Sequence, residues 1–148
     1  MMTPIEIINN YANSFLGKPY IWGGDDPIKG VDCSGLVVEL LKASGMLTNS
    51  EDLSSSGLYQ RYEEYKVFSP AFGTLSFYGS SIDSIKHVGF CVDKDLMIEA
   101  GGGDRTVKNE KDAIQKNAFV RIRPIKARSD FVAFVHPPYF WERIRWKK

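Results

Sequence analysis

Asp32-Cys33-Ser34-Gly35-Leu36 follows a loop carrying Gly23-Gly24 and puts a cysteine where a glycine-rich loop turns into a helix. Leu36, Val37, Leu40 and Leu41 then give that helix an apolar face, and Gly45 is placed to stop it. The face can hold the helix in a core while its first turn stays open to a cleft. A thiol at that turn lies at the positive end of the helix dipole, among backbone N–H groups without helical acceptors. Both effects favour the thiolate, the nucleophilic form of cysteine. Taken alone, Cys33 also reads as a small hydrophobe buried at a helix start.

Upstream, Thr3-Pro4-Ile5-Glu6 has the form of a capped helix start, with Thr3 as N-cap, Pro4 in the first turn and Glu6 reaching back. Ile5, Ile8, Ala12 and Phe15 continue it at helical spacing, and Gly17 and Pro19 end it. Ser54-Ser55-Ser56-Gly57 marks a break before a short helix through Tyr59 to Tyr65. From Phe72 onward the pattern changes. Residues 74–78, 87–92, 96–100, 119–125 and 131–136 are short, β-branched or aromatic runs separated by turn residues. Residues 104–107 suggest a further strand and 112–116 a helical turn. Helices first and strands afterwards predict an α+β fold with a mostly antiparallel sheet.

At 148 residues the chain is long enough for one domain with a real core, read as spanning 1–148. A net charge of +1 supplies no field to recruit nucleic acid, so no nucleic-acid partner is expected. Two cysteines cannot build a disulfide framework, and no cluster has metal-ligand spacing, so neither metal nor cofactor is expected. No apolar stretch approaches a membrane span, and the N-terminus lacks a basic region followed by an apolar run. A soluble monomer without signal peptide is the expectation. The aromatic and basic segment from Tyr139 to Trp146 is expected to pack back onto the domain with its charges in water. Stacking on nucleic acid or glycan is its alternative.

A nucleophilic thiol needs a base, and the base an orienting group. Of the two histidines, His136 precedes Pro137-Pro138 and reads as structural. His87 opens His87-Val88-Gly89-Phe90-Cys91-Val92, where alternation puts it on one face with Gly89 and Cys91. Gly89 is expected to clear space beside the ring, and Cys91 to be structural. If Asp93-Lys94-Asp95 forms a three-residue hairpin loop, Val92 pairs with Leu96 and Glu99 falls opposite Gly89, diagonal to His87 on the same face. A two-residue loop would turn Glu99 to the other face, where it is an ordinary strand carboxylate.

Three segments together carry a resemblance: Pro19-Tyr20-Ile21-Trp22-Gly23-Gly24, Val31-Asp32-Cys33-Ser34-Gly35-Leu36 and His87-Val88-Gly89. From about Ile5 to Ala100 the chain resembles the NlpC-type cysteine peptidases, papain-like bacterial cell-wall endopeptidases. The resemblance implies a papain-like fold and hydrolysis of an amide bond in peptidoglycan stem peptides, usually the one joining D-γ-glutamate to the following diamino acid. By position, Cys33 is then the nucleophile, His87 the base and Glu99 the third polar residue, where family members more often carry His, Asn or Gln. Tyr20 matches a cleft tyrosine. Asp32 and Ser34 stand with it as substrate- and oxyanion-side residues, Asp32 being most simply the N-cap. Trp22 is expected in the core. Gly73-Thr74-Leu75 departs from the usual Gly-Asp-Leu, and the loop from Gly24 to Gly30 is slightly long. Two rival readings keep the same residues: a deamidase or acyltransferase acting on a protein, and an idle module that binds wall peptide or another protein. A leaderless wall hydrolase would be delivered by a phage, by a secretion system or after loss of a leader.

Overall fold

The computed structural model describes residues 1–143. In chain order these form α1 (Pro4–Asn13), β1 (Asp25–Asp26), β2 (Gly30–Val31), α2 (Cys33–Ala43), α3 (Ser55–Tyr62), β3 (Lys66–Val67), β4 (Leu75–Ser81) and β5 (Ser84–Cys91). Then come β6 (Leu96–Gly101), α4 (Glu110–Lys116), β7 (Phe119–Pro124), β8 (Phe131–Val135) and α5 (Phe140–Arg143). The six strands from β3 on make one antiparallel sheet in the order β3-β8-β4-β5-β6-β7. The class is α+β, as the order of elements predicts.

Local signals act where they were read. Thr3 and Glu6 close a reciprocal capping box on α1, so two N–H groups at the helix start find partners. The expected turn at residues 112–116 belongs to α4, and the helix through Tyr59 ends in a short 3-10 turn at Glu63–Tyr65. Residues 104–107 are not a strand. Asp104 Oδ1 accepts the Thr106 N–H at 2.8 Å and the Asp104 carbonyl accepts from Val107 at 3.0 Å. A local side-chain turn has satisfied the groups a ladder would need. The two-residue strands β1, β2 and β3 are too short to leave a period in the sequence.

Alternation divides the sheet chemically. Leu75, Phe77, Val88, Phe90, Ile98, Ala100 and Val120 join the main core with Leu36, Val37, Leu40 and Leu41 of α2. Tyr78, Cys91, Met97 and Ile125 form a smaller cluster on the other face. His87 and Glu99 have the parity of this second set. On Gly89, a Cβ would lie 2.5 Å from Met97 Sδ and 3.0 Å from Ser76 Oγ. The missing side chain therefore admits Met97 and Ser76, whereas the sequence suggested room for the His87 ring.

The C-terminal segment closes over the start of β4. Tyr139 is fully buried and donates to the Gly73 carbonyl at 2.6 Å. His136 is structural: Nδ1 bonds Thr74 Oγ1 at 2.8 Å and Nε2 bonds Glu142 Oε1 at 2.7 Å. Thr74 thus uses its hydroxyl to anchor the segment. The tail packs back onto the domain through Tyr139 and Trp141, whose rings stack 4.4 Å apart; residues 144–146 of the expected segment lie outside the described residues. Tyr139→Phe strands a buried carbonyl and is expected to cost about 1–3 kcal/mol. Urea denaturation reads this, and an unchanged midpoint would remove the latch.

Candidate active site

The start of α2 is built by one carboxylate. Asp32 Oδ1 accepts the Gly35 N–H at 2.7 Å, while Oδ2 accepts the Gly23 N–H at 3.0 Å. One side chain thereby caps the helix and ties the glycine loop to it. The Asp32 N–H donates back to the Gly24 carbonyl at 3.0 Å. Burial pushes the Asp32 carboxyl above its ordinary pKa, against the hydrogen bonds that favour its charge. Ser34 turns its hydroxyl onto Asp32 Oδ1 at 3.3 Å. Asp32 and Ser34 line a small neighbouring recess rather than the cleft that contains Cys33.

That cleft, about 500 Å³, opens where β5 begins and β6 ends. Cys33, His87, Tyr20 and Trp22 line it, with the glycines 101–103 and the serines 54–56 at the head of α3. Tyr20 is buried. Its main chain is held by Ala118 on one side and bridged to Val31 on the other, and its ring lies against Gly103. Burial first, then the proximity of Cys33, Asp32 and Asp104, pushes the Tyr20 hydroxyl well above its ordinary pKa. The hydroxyl therefore keeps its proton and can donate. Trp22 is not in the core; it is 55 % exposed along the cleft. The chain turns at Gly23 (φ 71°) and the Trp22 N–H is tied to the Val107 carbonyl at 2.8 Å, which leaves the ring on the rim.

His87 is 6 % exposed. Its Nε2 meets Glu99 Oε2 at 2.5 Å. Cys33 lines the same cleft as the ring and is near enough to raise its pKa. With Nε2 taken by Glu99, Nδ1 is the nitrogen left for sulfur. The geometry follows from the hairpin. Phe90 pairs with Ile98 and Cys91 with Met97, so Gly89 falls opposite Glu99. Asp93 Oδ1 accepts the N–H groups of Asp95 and Leu96, both at 2.8 Å, which fixes the three-residue loop. Burial alone would lower the His87 pKa. The hydrogen bonds to Cys33 and Glu99 outweigh it and raise the value to about 9.

Glu99 is 1 % exposed, and burial opposes its charge. Its bond to His87 and the Arg123 guanidinium nonetheless hold its carboxyl below the ordinary value. Arg123 Nη1 donates to Glu99 Oε1 at 3.0 Å. The sequence reading missed Arg123. Its strand returns after a long connection, residues 102–118, whose length sets no register, so only the ladder pairing Glu99 with Arg121 reveals the contact. Cys91 is fully buried, and burial pushes its thiol up to about 12. Both cysteines are free. A cysteine and a histidine on one cleft, with a carboxylate bonded to the histidine, can transfer a proton and attack an acyl carbon.

The NlpC/P60 family profile matches residues 17–124. This chain belongs to the NlpC/P60 family. The match reaches beyond the Ile5–Ala100 span of the motif resemblance at one end, taking in β7 and Arg123, and starts later at the other. The bifunctional muramidase/DL-endopeptidase CwlT of Bacillus subtilis is 27 % identical over 123 residues, 82 % of this chain. The chain spans only 36 % of CwlT's length. Among solved NlpC/P60 structures, the peptidoglycan hydrolase RipB of Mycobacterium tuberculosis superposes with a TM-score of 0.64 at 24 % identity, covering 91 % of this chain and 64 % of RipB. RipD of the same organism, described as a non-catalytic NlpC/p60 domain protein adapted to peptidoglycan binding, gives 0.64 at 20 % identity over 92 % of this chain and 98 % of RipD. These likenesses confirm the papain-like NlpC/P60 fold.

Proposed function

We propose that this NlpC/P60 chain is a single catalytic domain, a cysteine peptidase that hydrolyses peptidoglycan stem peptides at the amide joining D-γ-glutamate to the diamino acid. The observation that carries this is the run Cys33–His87–Glu99, with the thiol at a helix start and the carboxylate bonded to the far nitrogen of the imidazole. The DL-endopeptidase in the name of CwlT supports the choice of bond.

In this reading the Cys33 proton passes to His87 Nδ1 and the sulfur keeps the electron pair. The thiolate attacks the carbonyl carbon. The backbone N–H of Cys33, in a first turn without helical acceptors, and the Tyr20 hydroxyl donate to the oxyanion. The imidazolium then protonates the leaving amine, and water cleaves the thioester to release the new carboxylate and the thiol. Glu99 holds the ring tautomer and steadies the imidazolium, as the acid of a triad does. Asp32 and Ser34 act on the shape of the helix start. Trp22 offers an apolar rim to the peptide.

Purified muropeptides digested with the protein and examined by mass spectrometry test the reading. Two fragments whose masses sum to the parent plus one water, with the break after D-γ-glutamate, are expected. A thiol-reactive probe at mildly acidic pH is expected to label Cys33 and spare Cys91. Intact stem peptides with rapid Cys33 labelling would remove the substrate and leave the chemistry. Equally sluggish labelling of both cysteines would leave a binding module of the RipD kind.

A further inference from the structure

We propose that Arg123 is a positioning residue that works as one unit with Glu99. It aims the carboxylate at His87 and cancels its charge, so that the Cys33–His87 pair exchanges its proton in a site without net buried charge. The inference rests on the cysteine-peptidase reading of the same site.

The geometry assigns the two oxygens of Glu99 to different partners: Oε2 to His87 Nε2 at 2.5 Å and Oε1 to Arg123 Nη1 at 3.0 Å. The Glu99 side chain has no exposed surface, whereas Arg123 keeps 32 % of its own. The carboxylate is therefore held between a ring it must orient and a cation anchored nearer to water. Among the described residues the other neighbouring cations make no bond to Glu99. Arg128 forms two bonds to Asp130, at 3.0 and 2.8 Å. Arg121, opposite Glu99 in the ladder, turns Nη1 to the Asn117 carbonyl at 3.4 Å.

Arg123 balances the charge of the site. With Cys33 as thiol and His87 neutral, Glu99 and Arg123 sum to zero. When the proton moves from sulfur to Nδ1, thiolate and imidazolium also sum to zero, so both states leave the site neutral. Without Arg123, both would carry an uncompensated buried anion, which is costly in a low-dielectric site. A neutral third residue, such as an amide, would orient the ring with no such counterion. Glutamate at this place requires one.

Several groups surround His87 and bear on its titration. Cys33 comes from α2, the Tyr78 ring from β4 at 5.7 Å, Glu99 from β6 and Arg123, through Glu99, from β7. Asp130, paired with Arg128, acts from the turn before β8, and Lys86 is its exposed neighbour on β5. Only Arg123 and His87 bond directly to the Glu99 carboxylate among the described residues.

The test compares wild type with Arg123→Gln, Arg123→Lys, Glu99→Gln and the double variant Glu99→Gln/Arg123→Gln. Two pH profiles are read: stem-peptide hydrolysis and the rate of Cys33 alkylation by iodoacetamide. Arg123→Gln is expected to lower kcat/KM roughly ten- to hundredfold through loss of positioning. It should also move the alkaline limb of both profiles upward by about half a unit or more, because the unbalanced carboxylate holds the proton on His87. Arg123→Lys should bring the limb back. The double variant should lose less than the product of the two single losses, since Glu99→Gln alone leaves the guanidinium without its anion. An alkaline limb that stays put in Arg123→Gln, or losses that simply multiply, overturns the inference. Alkylation needs no peptide, so its profile judges Arg123 even where stem peptides stay uncut, an outcome that would instead sink the proposed substrate.

Discussion

Replacing Cys33 with alanine is expected to lower stem-peptide hydrolysis by roughly 10⁴-fold or more, the scale seen when a nucleophile that works with its base as a unit is removed. The other thiol cannot substitute. Cys91 is fully buried, and its pKa near 12 keeps it protonated at any pH where the fold would be assayed. Cys91→Ala is accordingly expected to preserve kcat. The sign of the pH dependence follows from His87. Its pKa, raised to about 9 by Cys33 and Glu99 against the effect of burial, keeps the imidazolium available through neutral pH. As pH rises through about 9 the ring loses that proton, the leaving amine loses its acid, and turnover falls. Initial rates of muropeptide cleavage from pH 5 to 10 check both statements. Residual cleavage in Cys33→Ala above a heat-treated control, or a rate that keeps climbing past the His87 value, would contradict the mechanism.

Gly35→Ala is expected to cost about 3 kcal/mol of stability and most of the activity. A Cβ there would run into the Gly24 carbonyl oxygen and lie 2.9 Å from Asp32 Oδ1. Neither neighbour can give way cheaply. The Gly24 oxygen is main chain and accepts the Asp32 N–H, and the Asp32 carboxylate is spent on Gly35, Gly23 and Ser34. Relief means lifting the glycine loop off the start of α2, which shifts Cys33 relative to His87 and Tyr20. Equilibrium denaturation in urea and the Cys33 alkylation rate should fall together. A variant with the wild-type midpoint would show that the loop adjusts.

The Asp-Cys-Ser-Gly unit was readable because its causes are local. An N-cap carboxylate and a helix with one apolar stripe both act within a few residues. The contact between His87 and Glu99 was readable for a related reason. Asp93 closes a three-residue loop, and in a short hairpin loop length sets register, which sets the face of every side chain that follows. The strand expected at residues 104–107 failed because β-propensity there competes with an aspartate turn that satisfies the backbone sooner. Trp22 was misplaced because an aromatic in an apolar context ordinarily packs inward, whereas a main-chain bond to Val107, distant in sequence, decides which side its ring takes.

By itself, then, the order of residues determined the α+β class, the helix that presents Cys33, the place of His87 on the first long hairpin and the register that makes Glu99 its neighbour. Tertiary structure alone decided the rest: that Arg123 anchors Glu99, that Met97 and Ser76 fill the gap at Gly89, that Ser34 turns away from the cleft, and that Trp22 and the head of α3 line it. The division has one physical cause. Caps, periodicity and short loops carry their information across a few bonds, while a contact closed over a long connection depends on how whole faces pack, and no spacing along the chain records it.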